Sequence, residues 1–352
     1  MVIVGARPNF VKAAPFFRRV KDYDDIEFTL VHTGQHFDEN MSKIFFDQMG
    51  IPKPDIQLEI TGEFHTEKIG KMFTALKTVA SDPKYCGIIV FGDINSTLAG
   101  AVAASSVTKK LIHIESGLRS HDRRMPEEIN RAITDHLSDM LFVTEQSGYD
   151  NLVLEGIDKG KIFMAGNIMI ESIEIFKDIF NESTILDDLG LKEKEFIVST
   201  IHRAENTDEK LILEKLLGVL DDVSKTYRVI LPLHPGTKKM IVKYDLLSKL
   251  NNINVIEPVG YIDFMRLTLG SKGVVTDSGG IQEETSHLGI PCCTLRDNTE
   301  RPVTLTHGTN KLFPIDNLDS KEIIKHLSRN DFIARNIPYW DGEVSKRILD
   351  LL

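Results

Sequence analysis

The sequence predicts an α/β protein built from two doubly wound, Rossmann-like domains that face each other across a cleft. Three observations predict it. The chain has 352 residues, more than a single hydrophobic core usually organises. Short β-branched runs alternate with helix-like stretches, the pattern of βαβ units in a parallel sheet. The same rhythm then begins again half-way along.

The first half opens on VIV at 2–4, followed by FTLVHT at 28–33, GIIVFGD at 87–93, KLIHIES at 110–116, DMLFVT at 139–144 and KIFMAG at 161–166. Helix-like stretches at 67–80, 96–107 and 126–138 fall between them. The break is placed at Gly166-Asn167, before the amphipathic IMIESIEIFKDIF, so the first domain is 1–166 and the second 167–341. The second half runs through EFIVSTIH at 195–202, RVILPLH at 228–234, NVIEPV at 254–259, GVVTDSG at 273–279 and PCCTL at 291–295. A last helix-like stretch, 342–352, can pack back on the first half. No low-complexity linker and no short-period repeat interrupts the order.

Composition narrows the function. The chain is 41% hydrophobic and 27% charged, ordinary for a globular protein, and carries a net charge of -10. An acidic surface argues against nucleic acid as a partner, which needs a basic face. No apolar run approaches the length of a membrane span, and no signal segment is expected ahead of the first strand. Three cysteines without a CxxC fit a reducing compartment. A cytoplasmic protein with no membrane contact is expected.

In open parallel sheets, ligands bind beyond the carboxyl ends of the strands. Polar residues stand at nearly every such end: Gly5-Ala6-Arg7, with Lys12 just beyond, His32 to His36, Gly92-Asp93, His113 to Arg119, His202-Arg203, His234-Pro235 and Asp277 to Gly280. The sharpest is TDSGGIQEETSHLG at 276–289. A strand runs into Ser278-Gly279-Gly280, and a helix follows that ends at Gly289 with Pro291 behind it. Two glycines let a ligand approach the backbone, and free N–H groups at a helix start suit a phosphate or diphosphate. Glu284, about a turn further on, can accept from ribose hydroxyls. The same stretch also fits a plain strand–helix turn capped by Asp277 or Ser278.

Other motifs drop out. There is no GxGxxG after a strand and no GxxxxGK[ST], and Thr276 stands where a GxSxG elbow needs glycine. His32 and His36 are four apart at a strand end, without the partners a metal site requires, so no metal is expected. The carboxylates say more. Asp93, Glu115 and Glu127 lie at strand or helix ends of one domain, where one cleft can hold all three. Proximity and burial then split their acidities, so that one serves as base and another as acid. His202 of the second domain can join them. Each has a plainer reading: Asp93 as a helix cap, Glu127 or Glu128 facing a helix dipole, His202 as a bonded core histidine.

Together these residues resemble the UDP-N-acetylglucosamine 2-epimerase family, which has the two-domain nucleotide-sugar fold (GT-B). The segments that carry the resemblance are GARPNFVKAAP, HTGQH, GDINSTLAG, HIESGLRS, MPEEINR, HRAEN, LPLHPGT, EPVGYIDF, TDSGGIQEE and RDNTERP, in family order from residue 4 to about 302. The resemblance implies a cofactor-free reaction on a nucleotide sugar: UDP leaves C1 as the C2 proton is removed, and re-adds after protonation of the other face. It assigns Asp93, Glu115, Glu127 and His202 to acid–base work. Arg7, Lys12, Ser278, Gly279, Gly280 and Arg301 are assigned to the nucleotide or diphosphate, Glu284 to the ribose, and Val259 and Phe264 to the uracil. Arg301 has the alternative of a surface pair with Glu300. Gln35, His36, Arg203 and His234 are further cleft candidates. A homodimer is inherited from the family.

Two departures stand out. The opening is GARPN where GTRPE is commoner, and Phe37 stands where many bacterial members have arginine. Both resemble the branch that epimerises UDP-2,3-diacetamido-2,3-dideoxyglucuronic acid, whereas TERPVTLTHGTN resembles the N-acetylglucosamine enzymes. UDP-N-acetylglucosamine is the expected substrate, with the diacetamido uronate as runner-up. The HRAEN and DNTERP segments place a hydrolysing epimerase behind both, and the group of three acids and a histidine places a glycosyltransferase of the same fold and a non-catalytic sugar-nucleotide sensor there too.

Overall fold

A computed structural model describes residues 1–34, 49–61, 65–332 and 337–352. The chain divides into two compact units, Met1–Phe176 with Pro338–Leu352, and Lys177–Ile337.

The first unit holds β1 (Val2–Val4), β2 (Leu30–His32), β3 (Ile56–Gln57), β4 (Gly87–Phe91), β5 (Lys110–Ser116), β6 (Met140–Val143) and β7 (Ile162–Met164). They form one sheet in the order β3-β2-β1-β4-β5-β6-β7, and every pairing is parallel. Helices cover such sheets on both faces, so the strands read as continuous apolar runs rather than alternating ones. Val2, Ile3 and Val4 are all buried. The helix Asn95–Ser106 buries Ala99, Gly100, Ala101, Ala103 and Ala104. Small residues are needed there, since a Cβ on Gly100 would stand 2.8 Å from Ile3 Cδ1 and 2.9 Å from Val90 Cγ1.

The second unit repeats the plan with β8 (Phe196–Thr200), β9 (Arg228–Pro232), β10 (Asn254–Ile256), β11 (Gly273–Thr276), β12 (Cys292–Thr294) and β13 (Asn310–Leu312). The order is β10-β9-β8-β11-β12-β13, again parallel throughout. Leu213, Leu216, Leu217 and Leu220 of the helix Lys210–Ser224 pack on one face with Val229, Leu231 and Val275.

The expected division at 166/167 and the unit division at 176/177 differ by the first part of the helix Ile168–Asn181. Its Ser172 hydroxyl donates to Val11 O at 2.8 Å. Its Glu171 carboxylate accepts Ser345 N at 2.5 Å and Ser345 Oγ at 2.6 Å. Ser345 lies in the helix Val344–Leu349, so the chain's last stretch belongs to the first unit. No helix among the described residues is long and apolar enough to cross a membrane.

Both sheets reverse their strand order once, between β1 and β4 and between β8 and β11. At these switch points the connections leave in opposite directions and open a crevice at the carboxyl ends. β1 leads to Gly5-Ala6-Arg7 and β4 to Gly92-Asp93. β8 leads to Ile201-His202-Arg203 and β11 to Asp277-Ser278-Gly279.

Candidate functional site

The first unit brings two of its candidate acids, Asp93 and Glu115, to its switch point. The helix Arg7–Arg19 starts at the end of β1 and carries Lys12 on its first turns. Lys12 is buried and its ammonium pairs with the Glu115 carboxylate. Glu115 lies near the end of β5, where the register with β6 shifts between Ile114 and Ser116. Its φ is 69°, a left-handed conformation for a residue with a side chain. Such outliers persist only where the surroundings hold them, and they gather at functional sites. The bulge re-aims the carboxylate at the strand end. Across from it, Gly92 has φ 60°, and a Cβ there would stand 3.2 Å from Lys12 Nζ and 3.6 Å from Glu115 Oε2. A side chain there would strain the backbone and press on the lysine ammonium.

Asp93 follows directly. Its carboxylate is a quarter exposed and receives Arg131 Nε at 2.9 Å. The residue at the cap position of Asn95–Ser106 is Ile94, the one after Asp93. Arg131 also gives Glu128 its NH1 at 2.5 Å. Glu128 is buried and accepts from Ser120 N, Ser120 Oγ and His121 N, each at 2.9 Å. Of the adjacent acids, then, Glu128 ties the loop after β5 to the helix Pro126–Leu137. Glu127 remains half-buried on that helix's first turn.

Asn9 has a definite place. Its Oδ1 accepts Gly5 N at 3.3 Å and Ala6 N at 3.4 Å, while its Nδ2 donates to Phe91 O at 3.4 Å. The amide joins the ends of β1 and β4. A glutamate lacks the donor that Phe91 O receives. Gln35 and His36 lie outside the described residues, and so does the side chain of Arg7.

In the second unit Asp277, at the end of β11, is the organising group. Its Oδ2 accepts His202 N and Arg203 N at 2.9 Å each and Asn206 Nδ2 at 3.2 Å. Its Oδ1 stands 2.8 Å from His202 Nδ1. Burial pushes this carboxyl up, but the hydrogen bond and charge of His202 and the two backbone N–H groups outweigh it and hold Asp277 below its usual range. The His202 side chain is 42% exposed, so it is no core histidine. Its Nδ1 is taken by Asp277, and the ring nitrogen that faces away from that carboxylate is Nε2.

The helix Gly279–Leu288 starts at Ser278 with no side-chain cap, and Gly289 closes it in the left-handed conformation at φ 70°. Asp277 is engaged with the 202–206 loop, so the first N–H groups keep their donor capacity for an anion. A cavity of about 180 Å³ beside it is lined by Thr200, Ile201, His202, Pro232, His234, Pro258, Val259, Phe264, Ser278 and Ile281. Five of these, His202, His234, Val259, Phe264 and Ser278, are sequence candidates. His234 also caps the helix Pro235–Lys243, its Nδ1 accepting Gly236 N at 3.1 Å. Val259 and Phe264, with the two prolines, give the cavity an apolar wall of the kind a planar base needs.

Glu284 is buried in the helix and meets the Tyr261 hydroxyl at 3.5 Å. Burial, and then the Glu284 charge, push the Tyr261 phenol well above its usual value. Arg301 does pair with Glu300, at 2.6 Å, but the pair is buried rather than on the surface. Arg301 Nε also stands 2.8 Å from Glu283 Oε1. Glu300 further meets Arg296 NH1 at 3.0 Å and Arg203 NH2 at 3.5 Å. Three guanidinium groups thus share one buried carboxylate beside Gly279. Sequence reasoning missed Glu283 and Arg296, and in the first unit Arg131; it had Glu300 only as a surface partner of Arg301. The one available signal was the helical spacing of Glu128 and Arg131, three apart on one face.

The comparisons with known proteins agree with one another. The family model for UDP-N-acetylglucosamine 2-epimerase matches residues 18–352. A UDP-N-acetylglucosamine 2-epimerase of Methanococcus maripaludis is 39% identical over 360 residues, covering 100% of this chain and 97% of the relative. A UDP-2,3-diacetamido-2,3-dideoxy-D-glucuronate 2-epimerase of Pseudomonas aeruginosa is 40% identical over 361 residues, covering 100% and 98%. Among solved structures, the Methanocaldococcus jannaschii UDP-GlcNAc 2-epimerase in complex with UDP-GlcNAc and UDP superposes with a TM-score of 0.91. It is 36% identical, with 99% and 98% coverage. The fold is therefore that of the GT-B-like 2-epimerases.

Proposed function

We propose that this chain, which belongs to the UDP-N-acetylglucosamine 2-epimerase family, interconverts UDP-N-acetylglucosamine and UDP-N-acetylmannosamine without a redox cofactor. One observation carries the reading. The two switch points hold opposite chemistries: carboxylates Asp93 and Glu115 at the first, and an uncapped helix start beside an apolar cavity at the second.

The reaction needs both. The C2 proton is not next to a carbonyl, so its loss must accompany C1–O cleavage. A carboxylate takes the proton, the C–H pair becomes the C1=C2 bond, and the C1–O pair leaves on the β-phosphate of UDP. The glycal is then protonated at C2 from the other face, and the UDP oxygen re-forms the bond to C1. We assign Asp93, Glu115, Glu127 and His202 to these proton transfers. Lys12, with Arg7, faces growing negative charge on the leaving group, and Ser278, Gly279, Gly280 and Arg301 hold the diphosphate. Glu284 takes the ribose, and Val259 and Phe264 the uracil. Gln35, His36, Arg203 and His234 complete the set. A homodimer acting in the cytoplasm is part of the same proposal.

A second substrate is favoured by the Pseudomonas relative, whose identity matches that of the N-acetylglucosamine enzymes. Incubation with UDP-N-acetylglucosamine alone in D2O tests the first reading: the expected product is UDP-N-acetylmannosamine deuterated at C2. Unexchanged substrate with no epimer overturns it, and turnover of only the diacetamido uronate transfers the assignment to that sugar. Release of free sugar with UDP would instead mark a hydrolysing enzyme.

A further inference from the structure

His113 lies on β5, two residues before Glu115, and is completely buried. Its Nδ1 stands 2.7 Å from Asp135 Oδ1 and its Nε2 2.8 Å from Gly92 O. A carboxylate and a carbonyl oxygen only accept hydrogen bonds. A ring that satisfies both must donate from both nitrogens, and only the imidazolium does so. The neutral ring would set a nitrogen lone pair against one of the two oxygens in a site without water access, where an unmade bond is costly.

The surroundings suit a cation. Asp135, from the helix Pro126–Leu137, is fully buried. Its Oδ2 accepts Gly117 N at 3.1 Å and stands 2.7 Å from Arg119 NH2. Arg119 in turn forms a two-pronged pair with Glu155, both contacts at 2.7 Å. Burial works against an ionised Asp135, yet the bonds and charges of His113 and Arg119 hold it below its usual range. The groups that face His113 are thus Asp135 from the helix and Arg119 from the loop after β5, with Glu155 balancing Arg119.

This buried pair grips the backbone on both sides of the first switch point. Gly92 O immediately precedes Asp93. Gly117 N lies two residues after Glu115, and Gly92 N also donates to Ile114 O at 2.9 Å. Both gripped residues are in the left-handed region, Gly92 at φ 60° and Gly117 at φ 78°, with Glu115 between them in sequence terms at 69°. A β-bulge and three positive φ values do not hold themselves. We propose that His113 is a positioning residue for Asp93 and Glu115, acting as a doubly donating imidazolium clamped by Asp135. It fixes the turn after β4 against the bulged end of β5. It touches no reacting atom; it sets the separation of the two acids that do. This rests on their assignment to proton transfer at C2.

Two measurements test it, and the first is independent of any catalytic role. Nitrogen-15 spectra of the histidine-labelled, folded wild-type protein should show both His113 nitrogens carrying a proton. A neutral His113 ring overturns the clamp. The second uses substitutions that each keep one donor. His113→Asn places its amide near the Nδ1 position and keeps the bond to Asp135, while His113→Gln places it near Nε2 and keeps the bond to Gly92 O. His113→Asn should lower kcat about 100-fold, with KM and UDP affinity unchanged. His113→Gln should retain the larger share of kcat. Equal activity of His113→Asn and wild type overturns the proposal, as does an equal loss in kcat and UDP affinity. A wild type that turns over neither nucleotide sugar would instead count against the proposed function, leaving the nitrogen spectra to decide the clamp.

Discussion

Gly279 and Gly280 are adjacent, both in the first turn of the same helix, and should respond oppositely to alanine. A methyl group on Gly279 would stand 2.5 Å from Glu300 Oε1 and 2.7 Å from Arg301 NH1, whereas on Gly280 it would meet no described atom within 4 Å. The atoms in the way at Gly279 are side-chain ends, which normally give way cheaply. Here they do not, because Arg301 is held by Glu283 and Glu300 with only 7% of its side chain exposed. Separating a buried pair costs about 3 kcal/mol, and the helix propensity of alanine returns at most about 1 kcal/mol. Gly279→Ala should therefore be destabilised by ~2 kcal/mol, which lowers the melting temperature of a unit this size by about 4–8 °C. Gly280→Ala should melt at or slightly above wild type. In UDP titrations, however, its methyl group enters the space at the helix start assigned to the diphosphate, and affinity should fall about tenfold. Equal melting temperatures for the two variants, or wild-type UDP binding by Gly280→Ala, would refute the reasoning about how this helix start is used.

Asp93→Asn and Glu115→Gln should each lower kcat by about 100-fold or more while UDP titrations stay close to wild type; retained turnover in either removes that residue from the acid–base group. Phe264→Ala, in the cavity wall, should weaken UDP binding roughly tenfold through loss of stacking and leave binding of inorganic diphosphate unchanged. The acidity of Asp277 gives a pH signature. Its folded value lies below the ordinary 3.8, so its stabilising contribution is complete above that pH and disappears as the pH falls through the lower folded value. Melting curves of wild type from about pH 5 to 2 should fall more steeply below about pH 4 than those of Asp277→Asn, which should be less stable than wild type at pH 7; parallel pH profiles would show that Asp277 is not what the 202–206 loop depends on.

How much of this was legible beforehand follows from what burial does to sequence. Every apolar run named in the sequence became a strand, because both faces of a parallel sheet are covered and most of its strands are dominated by apolar residues. The two strands that went unseen, Ile56–Gln57 and Asn310–Leu312, lie at the edges of their sheets, are two and three residues long, and carry polar residues. An edge needs no apolar run. At the candidate site, the strand-end polar groups were legible as candidates because several of them stand together where open parallel sheets bind ligands. Their partners were not. Arg131 meets Asp93 from 38 positions away, and Glu300 meets Arg203 from 97. Only the fold closes such distances. Asn9 is the instructive case. In the sequence it marks a departure that points toward another substrate; in place, its amide joins the ends of β1 and β4 with bonds a glutamate cannot all supply.

That bond set bears on why the opening of this acidic chain carries a cation at all. Lys12 reaches the strand end at Gly92 and Glu115, and the glycine there leaves it the room. Asn9, one turn earlier on the same helix, ties that helix's start to Phe91, the residue before Gly92. Helix, strand and glycine turn are therefore tied together. The lysine's charge is delivered to a fixed point rather than to a surface. A cation placed there serves two ends. It compensates a carboxylate that β5 has bent into a costly backbone conformation, and in the proposed reaction it would also answer negative charge developing on the leaving diphosphate. These ends separate under mutation. Loss of the first would unseat Glu115 and lower kcat alone, whereas loss of the second would also weaken UDP. Lys12→Met keeps the length of the chain and removes the charge. A fall in kcat with UDP affinity intact would identify Lys12 as the keeper of Glu115, and a parallel fall in both would identify it as a diphosphate ligand.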